Sequence, residues 1–227
     1  TADQWATAIA EDSNIGDAGS WSGQQPTGRA SWYEAAKFAN WMTTGHAHQG
    51  AYQFDTSGNY TGVDREAALL INNVIFVLPT EDEWNKAAYL KADGSGYTKY
   101  ATGDGKPVAG TDANYDGANS LPWNVGIGGI MDNNGTFDMG GNVWEWAETV
   151  VDASLSAPFD ELRLLRGGSY GFGDGDLQSS GRYGILPHSG AGDIGFRVAA
   201  IGLVPEPSSV GLLVIGAMGL MLRRQRG

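Results

Sequence analysis

The side chains best placed to do chemistry lie in Asp138-Met139-Gly140-Gly141-Asn142-Val143-Trp144-Glu145-Trp146. This stretch mixes two carboxylates, two indoles and two adjacent glycines, which suits neither a plain strand nor a plain helix. Gly140 and Gly141 permit positive φ, so the backbone can fold closely around something small. A Glu145 carboxylate bracketed by Trp144 and Trp146 loses hydration and needs a cation or strong donors beside it. Two kinds of cation are open to it. One is a hard metal ion, held by Asp138, Glu145 and intervening carbonyls. The other is a guanidinium, from Arg166 or Arg197.

Other groups offer weaker chemistry. Gly167-Gly168-Ser169-Tyr170-Gly171 fits the G-x-S-x-G pattern of a serine nucleophile, with His188 downstream. That pattern needs a helix directly after the serine, and Phe172-Gly173-Asp174-Gly175-Asp176 opens one poorly. An iron site built from two histidines and a carboxylate has only His46, His48 and His188 to draw on. Asn114-Tyr115-Asp116-Gly117 and Asp132-Asn133-Asn134-Gly135 offer turns and oxygens, without the spacing of an EF-hand. The chain has no cysteine, which excludes disulfides, thiolate metal sites and a cysteine nucleophile. Its formal charge of -12 disfavours binding to a phosphate backbone, and no nucleic-acid motif occurs.

The elements that must position these groups are partly legible. A chain of 227 residues holds one well-filled core, and 35 glycines predict much irregular backbone around it. A short helix is predicted over 3–10. Ser31-Trp32-Tyr33-Glu34 is a capping box opening a helix to about Thr43, stopped by Gly45. Residues 45–64 read as a polar loop carrying His46 and His48. Val74 to Leu78 is an apolar, β-branched run and reads as a buried strand ended by Pro79. Thr80-Glu81-Asp82-Glu83 is a second capping box, starting a helix over 81–91 that buries Trp84, Ala87 and Ala88. Leu162–Arg166 and Ile194–Ala200 read as strands, and 101–135 shows no period.

Beyond residue 203 the composition changes. Val204-Pro205-Glu206-Pro207-Ser208-Ser209 precedes an apolar or glycine run from Val210 to Leu222 and then Arg223-Arg224-Gln225-Arg226. The run spans about 20 Å as a helix, short for a ~30 Å hydrocarbon core, and the arginines supply a cytoplasmic anchor. Pro-Glu-Pro, short span and arginines in that order resemble a PEP-CTERM sorting tail. The resemblance implies a transmembrane helix at 204–227, export in a Gram-negative bacterium, transient anchoring at the inner membrane and cleavage by an exosortase. The mature protein would then sit at the cell surface or in the extracellular matrix.

Four segments resemble the formylglycine-generating, or sulfatase-modifying factor, family: SWYEAAKFANWM at 31–42, LPTEDEWNKAA at 78–88, DMGGNVWEW at 138–146, and RGGSY at 166–170 with Gly195-Phe196-Arg197. The resemblance covers about 30–200 and implies an α+β, C-type-lectin-like fold within a domain taken as 1–203. The amino-terminal part of that domain is missing or divergent here. It also implies calcium on Asp138, Glu145 and the carbonyls of Gly141 and Val143. A second ion would use Asn114 and the Tyr115 carbonyl, with its other ligands lacking counterparts. The family's copper(I)-binding cysteines align with Phe172 and Leu177, and Ser169 and Trp144 match pocket residues. Without thiolates no copper(I) site is expected. The expectation is a non-catalytic, calcium-stabilised surface domain binding a polysaccharide or envelope protein. The rival is an enzyme of the same superfamily with non-copper oxidoreductase chemistry, or a serine hydrolase at Ser169.

Overall fold

The computed structural model describes residues 1–16, 21–126, 131–132, 134–151 and 161–203. Among the described residues, four helices and eight short strands are set in a large amount of irregular chain, a mixed α+β architecture. Helix α1 (Ala2–Glu11) is capped by Thr1 and Gln4, and α2 (Trp32–Thr44) by Ser31 and Glu34. Gly45 ends α2 in the left-handed conformation at φ 80°. Trp5, Ala8 and Ile15 pack on Phe38 of α2, so the first fifteen residues belong to the domain.

Two elements lie where a polar loop was expected. Strands β1 (Tyr52–Phe54) and β2 (Tyr60–Val63) form a hairpin whose turn is held by Asp55, which accepts the Ser57 and Asn59 amides. Tyr52 and Tyr60 are the buried residues of this pair, and both meet Trp32 edge-on. Helix α3 (Arg65–Asn72) follows, capped by Asp64. Arg65 turns inward to Glu83 and Glu148, at 2.9 and 3.1 Å.

Strand β3 (Val74–Val77) leads into α4 (Glu81–Tyr89), which closes two residues earlier than predicted, at Leu90. The segment expected to be one strand over 194–200 is two: β7 (Ile194–Phe196) and β8 (Ala199–Gly202). They enter different sheets. β8 pairs antiparallel with β3, whereas β7 runs parallel beside β4 (Trp144–Val150). β5 (Arg163–Arg166) and β6 (Tyr183–Ile185) complete the four-stranded sheet in the order β6-β5-β4-β7. The main core gathers Trp32, Tyr52, Ile75, Leu78, Trp146 and Leu165 between this sheet, α2 and the hairpin.

Among the described residues no helix is long and apolar enough to cross a membrane. The transmembrane helix expected at 204–227 falls outside the described residues.

Candidate functional site

β4 positions the central carboxylate. Successive side chains of a strand point to opposite faces, so Trp144 and Trp146 share one face and Glu145 takes the other. The expectation that two flanking indoles bracket Glu145 is therefore corrected. The indole that meets it is Trp84 of α4, whose Nε1 donates to Glu145 Oε2 at 2.7 Å. Arg197, in the link between β7 and β8, donates Nε to Oε2 and a terminal nitrogen to Oε1, both at 2.5 Å. It also donates to the Phe137 carbonyl at 3.2 Å. Burial alone would lower the Arg197 guanidinium, but Glu145, Asp132 and Asp138 raise it overall.

Of the two arginines open to Glu145, Arg166 has another task. It lies opposite Glu145 in the β4–β5 register and is fully buried. It stacks over Trp84 and Tyr89 and donates to the Gly181 and Ser179 carbonyls and to Asn85 Oδ1. Its nearest carboxylate is Glu81, at 3.9 Å. Arg166 thus ties the segment at 179–181 to α4 and leaves Glu145 to Arg197.

Asp138 lines the same cleft as Glu145 and Arg197, a hollow of about 480 Å³. Its Oδ1 accepts from Trp123 Nε1 at 2.7 Å and its Oδ2 from the Gly126 amide at 2.8 Å. Burial raises its carboxyl above the ordinary value despite both bonds. Of the two glycines, only Gly141 takes positive φ, at 83°, and Asp138 and Asn142 take it as well. Asn142 joins the expected ligand segments: its N–H donates to the Asn114 carbonyl at 2.7 Å, and its Oδ1 accepts from Asn114 Nδ2 at 3.4 Å. Asn114 Nδ2 also donates to the Leu121 carbonyl, and the Tyr115 carbonyl accepts the Ala118 amide.

The donor set, as it stands, does not fit the expected calcium ion. Both Glu145 oxygens already accept N–H groups, one guanidinium among them, and an ion there would be pushed off by a fixed positive charge. Both Asp138 oxygens are likewise taken. Among the described residues no cluster of three or more Asp, Glu, His or Cys side chains is close enough to hold a metal. The guanidinium, one of the two cations open to Glu145 from the sequence, is the one the fold supplies. Stability should accordingly not depend on a divalent ion: adding EDTA to the purified protein should leave its melting temperature unchanged, as read by circular dichroism. A chelator-induced drop of several degrees, reversed by calcium, would restore the ion.

Asp132 was noted in the sequence only as part of a turn. It is 4% exposed and accepts the Met139 amide at 3.1 Å. Burial pushes its carboxyl up to about 6, against the pull of that amide and of Arg197. A folded-state value above the unfolded one near 4 means the folded chain binds the extra proton. Its contribution is therefore lost as pH rises from 4 through 6, about 2 to 3 kcal/mol in all. Asp132→Asn should be more stable than the parent by that amount at pH 7.5 and equal to it near pH 4. Urea titrations at the two pH values would read the difference, and a constant offset would refute it.

Phe172 and Leu177, expected at the family's cysteine positions, each lie beside the Gly168-Ser169 segment. The Phe172 amide donates to the Ser169 carbonyl at 3.1 Å, and the Phe172 ring meets Trp144 edge-on at 5.5 Å. Leu177 is buried with Tyr100, Ala113 and Tyr115, and a Cβ on Gly168 would meet its Cδ1 at 2.7 Å. Ser169 is fully buried and donates its hydroxyl to Asp193 Oδ2 at 2.9 Å. His188 lines a separate cleft, and His48 stacks on Phe54. Neither the hydrolase pair of Ser169 with a histidine nor the iron cluster is assembled among the described residues.

Trp84, Trp123 and Asp193 complete the site without having been found in the sequence. Each partners a residue 15 to 61 positions away, and no local spacing announces such a pair.

Residues 5–201 match the family described as the sulfatase-modifying factor enzyme 1-like domain. The solved structure of CarF is similar at 24% identity, covering 90% of this chain and 84% of that one, with a TM-score of 0.68. Treponema denticola variable protein 1 is similar at 23% identity, 88% and 80% coverage and a TM-score of 0.63. PvdO from Pseudomonas aeruginosa is similar at 20% identity, 83% and 67% coverage and a TM-score of 0.56. At these identities the likeness is one of fold. Residues 203–226 match the PEP-CTERM protein-sorting motif, which implies recognition by an exosortase and export toward the cell surface in Gram-negative bacteria. The chain therefore belongs to the sulfatase-modifying factor enzyme 1-like family and carries a PEP-CTERM sorting motif, with no cysteine for the family's copper chemistry.

Proposed function

We propose that this protein is a non-catalytic binding domain displayed at the cell surface or in the extracellular matrix, on a C-type-lectin-like form of the family scaffold. What supports the reading is the chemistry of the two positions that the family resemblance matches to copper-binding cysteines. Leu177 is 1% exposed and packed with Tyr100 and Tyr115, and the Phe172 ring meets Trp144 edge-on, so both positions carry hydrocarbon and neither supplies a thiolate. The fold stays while that chemistry goes.

A ligand has another place to bind. A cleft of about 970 Å³ lies between the start of α2 and the β1–β2 hairpin. Arg29, Lys37, Tyr33, Asn59 and His188 line it. Arg29 is exposed on a backbone at φ 64°, clamped by its N–H to the Ala191 carbonyl. Burial lowers the half-buried Lys37 ammonium, with Glu34 and Asp12 opposing, and it rests over the Phe54 ring at 5.4 Å. The acids of this cleft are already engaged: Glu34 caps α2 and Asp55 holds its own turn. Tyrosine, amide and cationic side chains in one cleft suit a hydroxyl- and carboxylate-bearing polysaccharide.

The domain passes to the surface by its tail, anchored at the inner membrane through 210–222 until an exosortase cuts it. Purified protein should bind extracellular polysaccharide from an exosortase-bearing bacterium in a pull-down, and Arg29→Ala with Lys37→Ala should weaken that binding at least tenfold. No binding to any surface fraction, or turnover that Ser169→Ala abolishes, would overturn the reading.

A further inference from the structure

Helix α3 turns Ala68 and Leu69 to the main core but leaves its two other large aliphatics outside. Its charged Arg65 points inward to Glu83, Glu148 and the Leu78 carbonyl, and Ala68 is buried. Leu70 and Ile71, at 67% and 78% exposed, point outward. With Ala67 they follow the spacing i, i+3, i+4, an apolar patch on the solvent side of α3, and the exposed Val74 follows at the start of β3. Val74, 48% exposed, pairs with Gly202 at the end of β8, and the Leu203 amide donates to the Asn73 carbonyl. Leu203, 45% exposed, therefore lies beside the turn between α3 and β3, at the end of this patch. Clustered exposed aliphatics of this kind mark a contact surface.

The chain itself indicates what the surface meets. The sorting motif begins at residue 203, at the end of the patch. Six residues, Val204 to Ser209, separate Leu203 from the apolar run at Val210, and six extended residues reach at most about 20 Å. A domain held by so short a tether must turn the face around Leu203 toward the bilayer. We propose that Leu70, Ile71, Val74 and Leu203 form a membrane-facing surface that rests in the headgroup layer while the tail is uncut. Asp64 and Glu66 flank the patch, so the contact is apolar and does not select anionic lipid. Cutting the tail removes the tether, and the four side chains alone hold the domain weakly enough for release.

The inference rests on the tail acting as a membrane anchor, and the test separates the two. The cysteine-free chain permits single-site labelling. The full chain carrying Ile71→Cys, or Thr111→Cys in an exposed loop as control, is labelled with bimane. It is then reconstituted into phosphatidylcholine vesicles with and without brominated acyl chains. Flotation should place the full chain with the vesicles. The label at position 71 should be quenched at least twofold more than that at 111, and the difference should vanish in a chain ending at Leu203. Chain that floats while both labels quench equally overturns the membrane face and leaves the anchor standing. Chain that does not float overturns both. A disulfide-linked dimer of unlabelled Ile71→Cys, with no quenching of the labelled chain, would assign the face to a second copy and likewise overturn the proposal.

Discussion

Replacing Arg197 with Met should cost about 4 kcal/mol of stability, because it leaves Glu145 buried with no opposing charge. Glu145 has a 7% exposed side chain, and Arg197 is its only ion-pair partner among the described residues. The Trp84 indole remains as a donor, but one neutral N–H does not offset a desolvated carboxylate. In a domain of this size such a loss is about 10 °C in melting temperature. The double variant Arg197→Met with Glu145→Gln should recover most of it, since the uncompensated charge is then gone. A single variant losing under about 1 kcal/mol would show that the pair does not hold the β7–β8 link to the central strand.

Gly141→Ala should be equally damaging, at about 4 kcal/mol, whereas Gly140→Ala should stay within about 1 kcal/mol of the parent. Gly141 sits at φ 83°, and a Cβ there would stand 2.3 Å from the Asn114 carbonyl oxygen. That oxygen accepts the Asn142 amide, so relieving the clash also breaks the bond joining the two loops. Gly140 has no positive φ, and a Cβ there would meet Leu177 at an ordinary 3.7 Å. Urea unfolding of the two variants reads the contrast. Equal losses would mean that the loop yields, and that the glycine pair is not selected for its backbone.

These two sites also mark how far the sequence can be read. The capping boxes at Ser31 and Thr80 were legible because a cap is a local code: hydroxyl, three residues, carboxylate. The hairpin at 52–63 was not, because its strands are three and four residues long and only Tyr52 and Tyr60 are buried in them. Such short strands show too few residues to reveal a period of two. Helix α3 hid because its apolar residues fall on both faces: Ala68 and Leu69 turn to the core beside the charged Arg65, while Leu70 and Ile71 face solvent. At Glu145 the need for a compensating cation was readable from a carboxylate flanked by indoles. Its choice was not. Arg166 on β5 and Arg197 just past the end of β7 flank Glu145, and Asn85 with the Ser179 and Gly181 carbonyls, which occupy Arg166, decides between them. The reading of Ile194–Ala200 as one strand failed for a related reason, because Arg197 is drawn to Glu145 at the point where the chain leaves one sheet for the other.

The pairing of β3 with β8 has a consequence for how the protein is made. Residues 74–77 find their partners only at 199–202, so the chain must close a loop of more than a hundred residues to finish its fold. Among the described strands the closing one is the last to be synthesised, directly ahead of the sorting signal. Topologies of this kind mature slowly, and an incomplete copy exposes the open edge of β3 to stray pairing. A copy that stays fastened until its final strand has docked is kept from diffusing away half-built. Under the proposed anchoring, the scissors would act last, on a finished product.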